Sequence, residues 1–388
     1  MARDHIERLA RLHGEMTGWR HDLHAHPETA FREHRTSERV AGLLAGFGLD
    51  VHRGLAGTGV VGTLRRGGGR RSIALRADLD GLPVQEIGEP PYRSQVPGAM
   101  HACGHDGHMA MLLGAARELA ERGRFDGAVH FVFQPAEENE GGGRVMVEQG
   151  LFDRFPAEAV FGLHNWPGLD AGRFAVRPGP VMAAFDVFEV TVRGRGAHGA
   201  MPHLAIDPVV AAAEMIGAFQ TIVSRNVSPV EAAVVSVTQV QAGDTWNVIP
   251  EEARLRGSGR YFRPDVGRVV EEGIRRIAAG VASAFGATAG VDYQHRYPAT
   301  VNEPAATAIA ARVAEEVVGS GHMVPDAPPS MASEDFAFML QARPGCYVWL
   351  GSGDGVRPLH SAGYDFNDAV LPVGAAYWVR LVESILSA

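Results

Sequence analysis

The stretch Met100-His-Ala-Cys-Gly-His-Asp-Gly-His108 places three imidazoles, one thiol and one carboxylate within eight positions, where a loop meets the start of a helix. Core packing does not explain such a density of polar groups. Cysteine and histidine are favoured ligands of zinc and related first-row ions, and two ligands two residues apart on a turn can reach one dinuclear site. The stretch therefore predicts a metal centre. The alternative is a polar helix N-terminus with incidental histidines, and Asp106 suits a first helical turn electrostatically without any catalytic role.

Predicted strands and helices alternate on both sides of this stretch. Ser72–Asp80 is an apolar run that ends in acids, and Ala128–Phe133 is typical of a buried strand. Apolar residues at helical spacing predict a helix from about His108 to Arg122, and helical sequence from the N-terminus to about Gly46. This alternation indicates an α/β domain with a largely parallel sheet.

The order of predicted elements changes after the turn Pro178-Gly179-Pro180. The next segments predict a strand, a helix, two strands, a helix and a strand, at Phe185–Arg193, Pro208–Ser224, Ala232–Gln241, Asn247–Tyr261, Asp265–Phe285 and Thr288–Arg296. That βαββαβ order is typical of a ferredoxin-like domain. After Tyr297-Pro298 the chain returns to helix, to an apolar strand and to a terminal helix from about Leu371. We therefore expect a discontinuous domain of residues 1–181 and 298–388 that carries an inserted domain of residues 182–297.

A second polar cluster follows a predicted buried strand, in Phe133-Gln-Pro-Ala-Glu-Glu-Asn-Glu-Gly-Gly-Gly143. Open α/β sheets hold their ligands at the carboxyl ends of strands, so adjacent carboxylates there suit a metal site. One of Glu137 and Glu138 would bind the ion and the other would work on bound water. Neighbouring carboxylates repel each other unless a cation compensates them. The alternative is a solvated acidic loop.

Three further residues are candidates because they end apolar runs. His164 lies in Phe161-Gly-Leu-His-Asn-Trp166, and His360 lies in Arg357-Pro-Leu-His-Ser361. Each histidine alone could be a hydrogen-bonded core residue, but together they complete a ligand set. Asp80 is expected to orient a ligating histidine, since such an imidazole usually donates its other N–H to a carboxylate. A turn cap is the alternative for Asp80 and its neighbour Asp78.

The inserted segment carries polar residues that its turns do not require. His198 lies in a Gly-rich turn, Asn247 lies in Gly243-Asp-Thr-Trp-Asn-Val-Ile-Pro250, and Arg260 lies at the far end of the strand that follows. The planar guanidinium of arginine binds both oxygens of a carboxylate, so Arg260 suits a carboxylate ligand.

Composition excludes several classes of function. All 36 basic residues are arginine, so Schiff-base, pyridoxal-phosphate and phosphate-loop lysine chemistry is excluded. The net charge of −9 and the scattered arginines do not suit a nucleic-acid binder. Two cysteines form no disulfide framework, the acidic N-terminal segment is not typical of a signal peptide, and no apolar window suits a membrane span. We therefore expect a cytoplasmic enzyme with a small-molecule substrate.

With these residues in place, the chain resembles over nearly its whole length the dinuclear-metal amidohydrolases, which include aminoacylases, hippurate hydrolases, indole-acetyl-amino-acid hydrolases and related carboxypeptidases. The motifs that carry the resemblance, in the family's order, are Met100–His108, Gln134–Glu138, Gly162–Trp166, Arg195–His203, Asn247–Pro250, Ser333–Phe336 and Leu359–Ser361. The resemblance implies a zinc-aminopeptidase-like catalytic domain with a mostly parallel sheet, and an inserted ferredoxin-like domain that serves as lid and dimerisation module.

The resemblance also implies a role for each candidate residue. The implied metal ligands are Cys103, His105, Glu138, His164 and His360. Glu137 would be the general base, His198 would help to stabilise the oxyanion, and Asn247 and Arg260 would hold the α-carboxylate of the substrate. The implied cofactors are two divalent ions per subunit, Zn²⁺ or Mn²⁺, Co²⁺ or Ni²⁺. The implied reaction is hydrolysis of N-acyl amino acids by a homodimer or a tetramer.

One departure from the wider clan matters. Related peptidases have a histidine two residues before the strand-end aspartate, whereas this chain has Asp78 before Asp80, so the metal set must rely on Cys103 and His105. Two other functions remain open from the sequence. One is a dipeptidase or carboxypeptidase on the same scaffold. The other is a non-catalytic metal-binding protein, which the intact Glu137 argues against.

Overall fold

The computed structural model of the chain describes residues 2–138 and 140–387. The chain divides into two compact units, each with its own hydrophobic core. The larger unit comprises Met1–Val181, Thr300–Pro328 and Asp335–Ala388, and the smaller unit comprises Met182–Ala299 and Pro329–Glu334. None of the helices in the described ranges has the length and apolarity needed to cross a bilayer.

Helices and strands alternate through most of the chain. In chain order the α-helices are α1 (Ala2–Ala10), α2 (His13–Ala25), α3 (His34–Gly46), α4 (His105–Arg122), α5 (Gly142–Glu148), α6 (Leu151–Arg154), α7 (Pro208–Thr221), α8 (Pro264–Ala284), α9 (Pro304–Val318), α10 (Phe336–Ala342) and α11 (Leu371–Ile385). The strands are β1 (Asp50–Leu55), β2 (Gly59–Arg66), β3 (Ser72–Asp78), β4 (Gly127–Gln134), β5 (Ala159–Pro167), β6 (Phe174–Val176), β7 (Gly179–Met182), β8 (Ala184–Arg193), β9 (Ala197–His198), β10 (Ala233–Ala242), β11 (Val248–Ile249), β12 (Glu252–Tyr261), β13 (Thr288–Tyr297), β14 (Thr300–Asn302), β15 (Met323–Pro325) and β16 (Gly345–Gly353).

The larger unit is built on an eight-stranded sheet in the order β1-β2-β4-β3-β5-β16-β6-β15. The central run β4-β3-β5-β16 and the pair β6-β15 are parallel, while the other neighbouring pairs are antiparallel. Strand β4 is buried along its whole length, and β3 is buried after its first residue. Such strands are covered on both faces. The predicted α/β fold with a mostly parallel sheet is confirmed.

The parallel strands carry polar residues to one edge of this sheet. Asp78, the last residue of β3, is paired with Gln134, the last residue of β4. Strand β5 lies on the other side of β3 and carries His164 close to its carboxyl end. In open α/β sheets this is the edge where ligands bind.

In the smaller unit, the four strands of the main sheet and helices α7 and α8 follow the βαββαβ order that the sequence predicts, and the short strands β9 and β11 pair separately. Its antiparallel sheet has the strand order β10-β12-β8-β13. Helices α7 and α8 supply Met215, Phe219 and Ile274 to a core with Phe188 and Val190 of β8. Residues alternate between buried and half-buried along β8, as expected for a sheet with one covered face.

Two predicted segments are subdivided in the structure. The N-terminal helical sequence forms three helices rather than one, and α2 ends at Ala25 because the residue before Pro27 is disfavoured in helical conformation. The strand predicted at Asn247–Tyr261 is divided into β11 and β12 at Pro250, which has no N–H to donate to a sheet.

Candidate metal centre

Four segments of the larger unit bring the predicted metal ligands together. Cys103 and His105 lie at the start of α4, Glu138 follows β4, His164 lies on β5, and His360 lies on the turn after β16. The ligand atoms of Cys103, His105 and His164 all lie within 4.8 Å of one another, and so do those of Cys103, Glu138 and His360. Cys103 therefore belongs to two adjacent sets, an arrangement that suits two ions with a shared thiolate.

The start of α4 depends on a glycine. The helix begins at His105, three residues earlier than the sequence predicts, directly after Gly104, whose φ of +90° is unfavourable for other residues. A Cβ at Gly104 would lie 1.9 Å from the side-chain oxygen of Asn165 and 2.6 Å from the hydroxyl of Tyr364. Glycine is thus required for Cys103 and His105 to face the same space from either side of a sharp turn.

Asp80 orients His105 through both backbone and side chain. The Nδ1–H of His105 donates to the carbonyl oxygen of Asp80 at 2.8 Å and lies 3.3 Å from its Oδ1. The other carboxylate oxygen of Asp80 accepts from the N–H of Glu138 at 2.9 Å. These contacts leave Nε2 of His105 to face the cluster, which is the geometry of an oriented metal ligand.

The residues present fit a bound cation. Nε2 of His105 and Oε1 of Glu138 are buried and have no hydrogen-bond partner within the described ranges. Oε1 of Glu138 also lies 3.2 Å from Nε2 of His360. Buried polar atoms without partners are costly, and a divalent cation would satisfy them. Thiolate, imidazole and carboxylate together form a donor set typical of zinc and related ions.

Electrostatics of the cluster depend on protonation. Burial and the charges of Glu138 and Glu137 raise the pKa of the Cys103 thiol well above its usual value. Burial lowers the pKa of His164 well below its usual value, so this imidazole is neutral and can ligate through Nε2, while its Nδ1–H donates to the carbonyl of Asn165 at 2.7 Å. Burial opposes the charge on His105, but Asp78, Asp80 and Glu138 raise its pKa to about 10. Metal binding must displace the proton of the Cys103 thiol and the proton on Nε2 of His105. Metal affinity therefore rises with pH.

Asp78 does not cap the turn but pairs with His108. The Nδ1–H of His108 donates to Oδ1 of Asp78 at 2.7 Å, and its Nε2 accepts from the N–H of Asn165 at 3.0 Å. Arg76 forms a buried ion pair with Asp78 at 2.8 Å. His108 thus fixes the backbone next to His164, a role that sequence reasoning missed. The spacing of His105 and His108 was the available signal, because residues three apart share one face of a helix.

Asp106 does more than favour the first turn of α4 electrostatically, because its side chain also contacts helix α2. Its Oδ2 accepts from Nδ1 of His24 at 2.8 Å and lies 3.5 Å from the buried guanidinium of Arg20. These partners lie on α2, 82 and 86 residues away in sequence. The contact therefore anchors the motif-bearing helix to the N-terminal helices.

His360 is held in a strained conformation. It has a φ of +64°, which is uncommon for a residue other than glycine, and its N–H donates to the carbonyl of Ala102 at 2.8 Å. Its side chain is 54% exposed. Unusual backbone conformations of this kind are maintained where surrounding contacts require them, often at functional sites.

Glu137 lies beside the ligand cluster and is 7% exposed. The N–H of Asp335 donates to its Oε1 at 3.4 Å. Ligand atoms of His105, Glu137 and Glu138 also lie within 4.8 Å of one another. The geometry therefore allows Glu137 to act on a water at the site, or to serve as a ligand itself.

The smaller unit holds the other three candidates. His198 on β9 pairs with Val248 on β11, so His198 and Asn247 lie close together, and both are exposed. Arg260 is half-buried, and its guanidinium lies 4.5 Å from the centre of the Phe185 ring. It donates to the carbonyl of Met331 at 3.0 Å and lies 3.4 Å from the hydroxyl of Ser333. Across the described ranges, no carboxylate lies within ion-pair distance of Arg260.

Comparison with known proteins agrees with this geometry. Hippurate hydrolase of Campylobacter jejuni subsp. jejuni is 40% identical over 381 residues, which cover 98% of this chain and 99% of that protein. N-acetylcysteine deacetylase of Bacillus subtilis is 37% identical and covers 97% of this chain and 98% of its own. The crystal structure of Bacillus subtilis YXEP, a dinuclear metal binding peptidase from the M20 family, superposes with a TM-score of 0.84 at 34% identity and covers 97% of this chain and 99% of that chain.

The resemblance seen in the motifs thus extends to sequence and fold along the whole chain. The profile of Peptidase family M20/M25/M40 matches residues 74–384, a range that includes most of β3, all five predicted metal ligands and the entire smaller unit. This chain belongs to peptidase family M20/M25/M40.

Proposed function

We propose that this enzyme hydrolyses the amide bond of N-acyl amino acids, such as hippurate-like or N-acetyl amino acids, to a carboxylate and a free amino acid. The two relatives compared above are named for substrates of this class. The observation that carries the proposal is Arg260, a half-buried guanidinium that has no carboxylate partner among the described residues. A buried charge normally has a partner, so an incoming α-carboxylate is the natural ligand.

The proposed metal ligands are Cys103, His105, Glu138, His164 and His360, with Asp80 orienting His105. They would hold two divalent ions, and a donor set that includes a thiolate favours Zn²⁺ over Mn²⁺, Co²⁺ or Ni²⁺. When bound, such ions lower the pKa of water and polarise a carbonyl group.

The protein's own side chains would then transfer the proton and position the substrate. The carboxylate of Glu137 accepts the proton of the attacking water and delivers it to the leaving amide nitrogen. His198 donates a hydrogen bond to the carbonyl oxygen as negative charge develops there. Arg260 and Asn247 bind the α-carboxylate, which selects substrates that release an amino acid.

Arg260→Ala is expected to raise KM about 10- to 100-fold for N-benzoyl and N-acetyl amino acids, because it removes a charged hydrogen-bonding partner. The corresponding α-amides should be hydrolysed equally by wild-type and variant enzyme. A matched control is Arg256→Ala on the same strand, since Arg256 already pairs with Glu189 at 2.6 Å. Equal losses on acids and amides would show that Arg260 supports the fold rather than the substrate.

The same metal-reconstituted assay addresses the alternatives. A dipeptidase or carboxypeptidase would turn over dipeptides faster than N-acetyl and N-benzoyl amino acids. A non-catalytic metal-binding protein would turn over none of them.

We also propose a homodimer and a cytoplasmic location. Strand β10 lies at the edge of the sheet in the smaller unit, and its second half is exposed. Apolar residues near this edge, including Val240 and the fully exposed Trp246, suit a surface covered by a second copy. Both cysteines are free and buried, which suits a reducing compartment.

If His198 acts in the site of the partner chain, two inactive variants should complement each other. A His198→Ala chain keeps its metal ligands and Glu137, and a Glu137→Gln chain keeps its His198. Co-expressed heterodimers purified through two tags should recover up to about half of the wild-type activity, since one of two symmetric sites is complete. Heterodimers as inactive as both parents, or a monomer in sedimentation, would contradict this arrangement.

A further inference from the structure

Glu33 is a fully buried carboxylate, and none of the ligand sets found among the described residues includes it. Its Oε1 accepts hydrogen bonds from the N–H of Phe31 at 3.0 Å and from the N–H of Ala136 at 2.9 Å. Its Oε2 accepts from the hydroxyl of Thr58 at 2.7 Å. No arginine or histidine in the described ranges lies within ion-pair distance of it. Each carboxylate oxygen is therefore satisfied by neutral donors alone.

The carboxylate of Glu33 does not cap the helix that starts directly after this residue. Glu33 is the N-cap residue of α3, yet its side chain makes no capping hydrogen bond there. Glu28 fills that role instead, because its two oxygens accept from the N–H groups of Arg35 and Thr36. The side chain of Glu33 instead contacts a turn that lies 103 residues away in sequence.

Ala136, which receives this contact, directly precedes Glu137 and has a φ of +54°. That left-handed conformation costs an alanine roughly 1 kcal/mol or more, so the surrounding contacts must maintain it. The turn is also tight: the carbonyl of Ala136 accepts from the N–H of Gly142, and a Cβ at Gly142 would lie 1.8 Å from the carbonyl oxygen of Pro135. Rotation of the Ala136 peptide would redirect Glu137.

The residues around Ala136 have separate anchors. Gln134 is held through its carbonyl by the N–H of Leu79, and Glu138 is held through its N–H by Asp80. Between these two anchors, Glu33 accepts a hydrogen bond from the N–H of the peptide that joins Pro135 to Ala136. The direction of the Glu137 side chain thus depends on a contact outside the metal cluster.

We propose that Glu33 is a positioning residue for hydrolysis, which holds the Ala136 peptide in its left-handed conformation and thereby aims the carboxylate of Glu137. Its hydrogen-bond-accepting oxygen is the functional group, and its negative charge is dispensable. The inference rests on the proposed role of Glu137 as the general base.

Three substitutions at one position separate the accepting oxygen from the charge. Glu33→Gln keeps an oxygen for the Ala136 N–H, and its amide can donate to the Thr58 hydroxyl. Glu33→Asp keeps the charge but is one methylene too short to span both contacts, and Glu33→Ala keeps neither. We expect kcat within about 3-fold of wild type for Glu33→Gln and a loss of about 10- to 100-fold for Glu33→Asp and Glu33→Ala, the scale of a small misplacement of a reacting group. KM and the metal content should stay unchanged in all three.

The matched control is Glu28→Ala, which removes a carboxylate of the same segment that accepts two backbone N–H groups but does not touch the turn. It should lower Tm without lowering kcat. If Glu33→Ala does not fold, the comparison of Glu33→Gln with Glu33→Asp decides the matter. Activity of Glu33→Asp equal to or above that of Glu33→Gln, unchanged kcat in all variants, or loss of metal and Tm without a separate loss of kcat would each overturn the inference.

The same assay includes Glu137→Gln, so that two failures can be told apart. An active Glu137→Gln variant would show that Glu137 is not the general base, and the inference about Glu33 would fail as well. An inactive Glu137→Gln variant beside fully active Glu33 variants would overturn the role of Glu33 alone.

Discussion

Glu137→Gln is expected to lower kcat by about 10³-fold while both metal ions remain bound, because the amide keeps the shape of the side chain and cannot accept a proton from water. KM for an N-acyl amino acid should change little, since Glu137 is not expected to bind the substrate carboxylate. The measurement combines steady-state kinetics with metal content determined by mass spectrometry of the purified protein.

The control for this result is Glu140→Gln, which removes an exposed carboxylate from the same loop. It should retain wild-type kinetics. The structure makes the metal measurement decisive, because the carboxylate of Glu137 also lies close enough to His105 and Glu138 to share an ion with them. Loss of metal together with activity would make Glu137 a ligand and would move the proton transfer to another group.

Cys103→Ser is expected to weaken the binding of both ions rather than one, because Cys103 belongs to two ligand sets. A serine hydroxyl is a far poorer ligand than a thiolate. Loss of contacts that only orient metal ligands costs about 10- to 100-fold in metal affinity, so loss of a shared ligand should cost at least that much. Activity should fall in parallel and return in part at high metal concentration.

Competition with a chelator measures this affinity directly. Cys346→Ser serves as the control, since Cys346 is also a buried free thiol and belongs to none of the ligand sets found among the described residues. It should bind both ions as the wild type does, even if its Tm falls. A Cys103→Ser protein with wild-type metal content and activity would remove Cys103 from the site.

Much of the candidate site could be predicted from the sequence because its residues occur in short, polar, densely spaced motifs. His105 and Cys103 are two residues apart, and Glu137 and Glu138 are adjacent, so local chemistry alone identified them. His164 and His360 are candidates because they end apolar runs, but each alone has an equally good explanation in core hydrogen bonding, and only the other ligands and the resemblance to a family make them parts of a metal set. The α/β fold followed from the alternation of strand and helix patterns.

The contacts that support the site could not be predicted in the same way. Glu33 acts through the backbone N–H of Ala136, and Asp106 acts through His24, so both depend on tertiary contacts between distant segments. A backbone partner also leaves no mark on the sequence, because any residue could supply the N–H. The early start of α4 had a visible signal in Gly104, but its positive φ depends on the close approach of Asn165 and Tyr364.

The division of candidate residues between the two units has a consequence for how substrate specificity can change in such enzymes. The proposed metal ligands and Glu137 belong to the larger unit, whereas Arg260, Asn247 and His198 belong to the smaller. Each unit packs around its own core. Under the proposed roles, substitutions in the smaller unit that retain His198 would change which substrates are accepted and leave the metal ligands and Glu137 untouched. Chimeras that exchange residues 182–299 together with residues 329–334 between relatives would test this separation of specificity from chemistry.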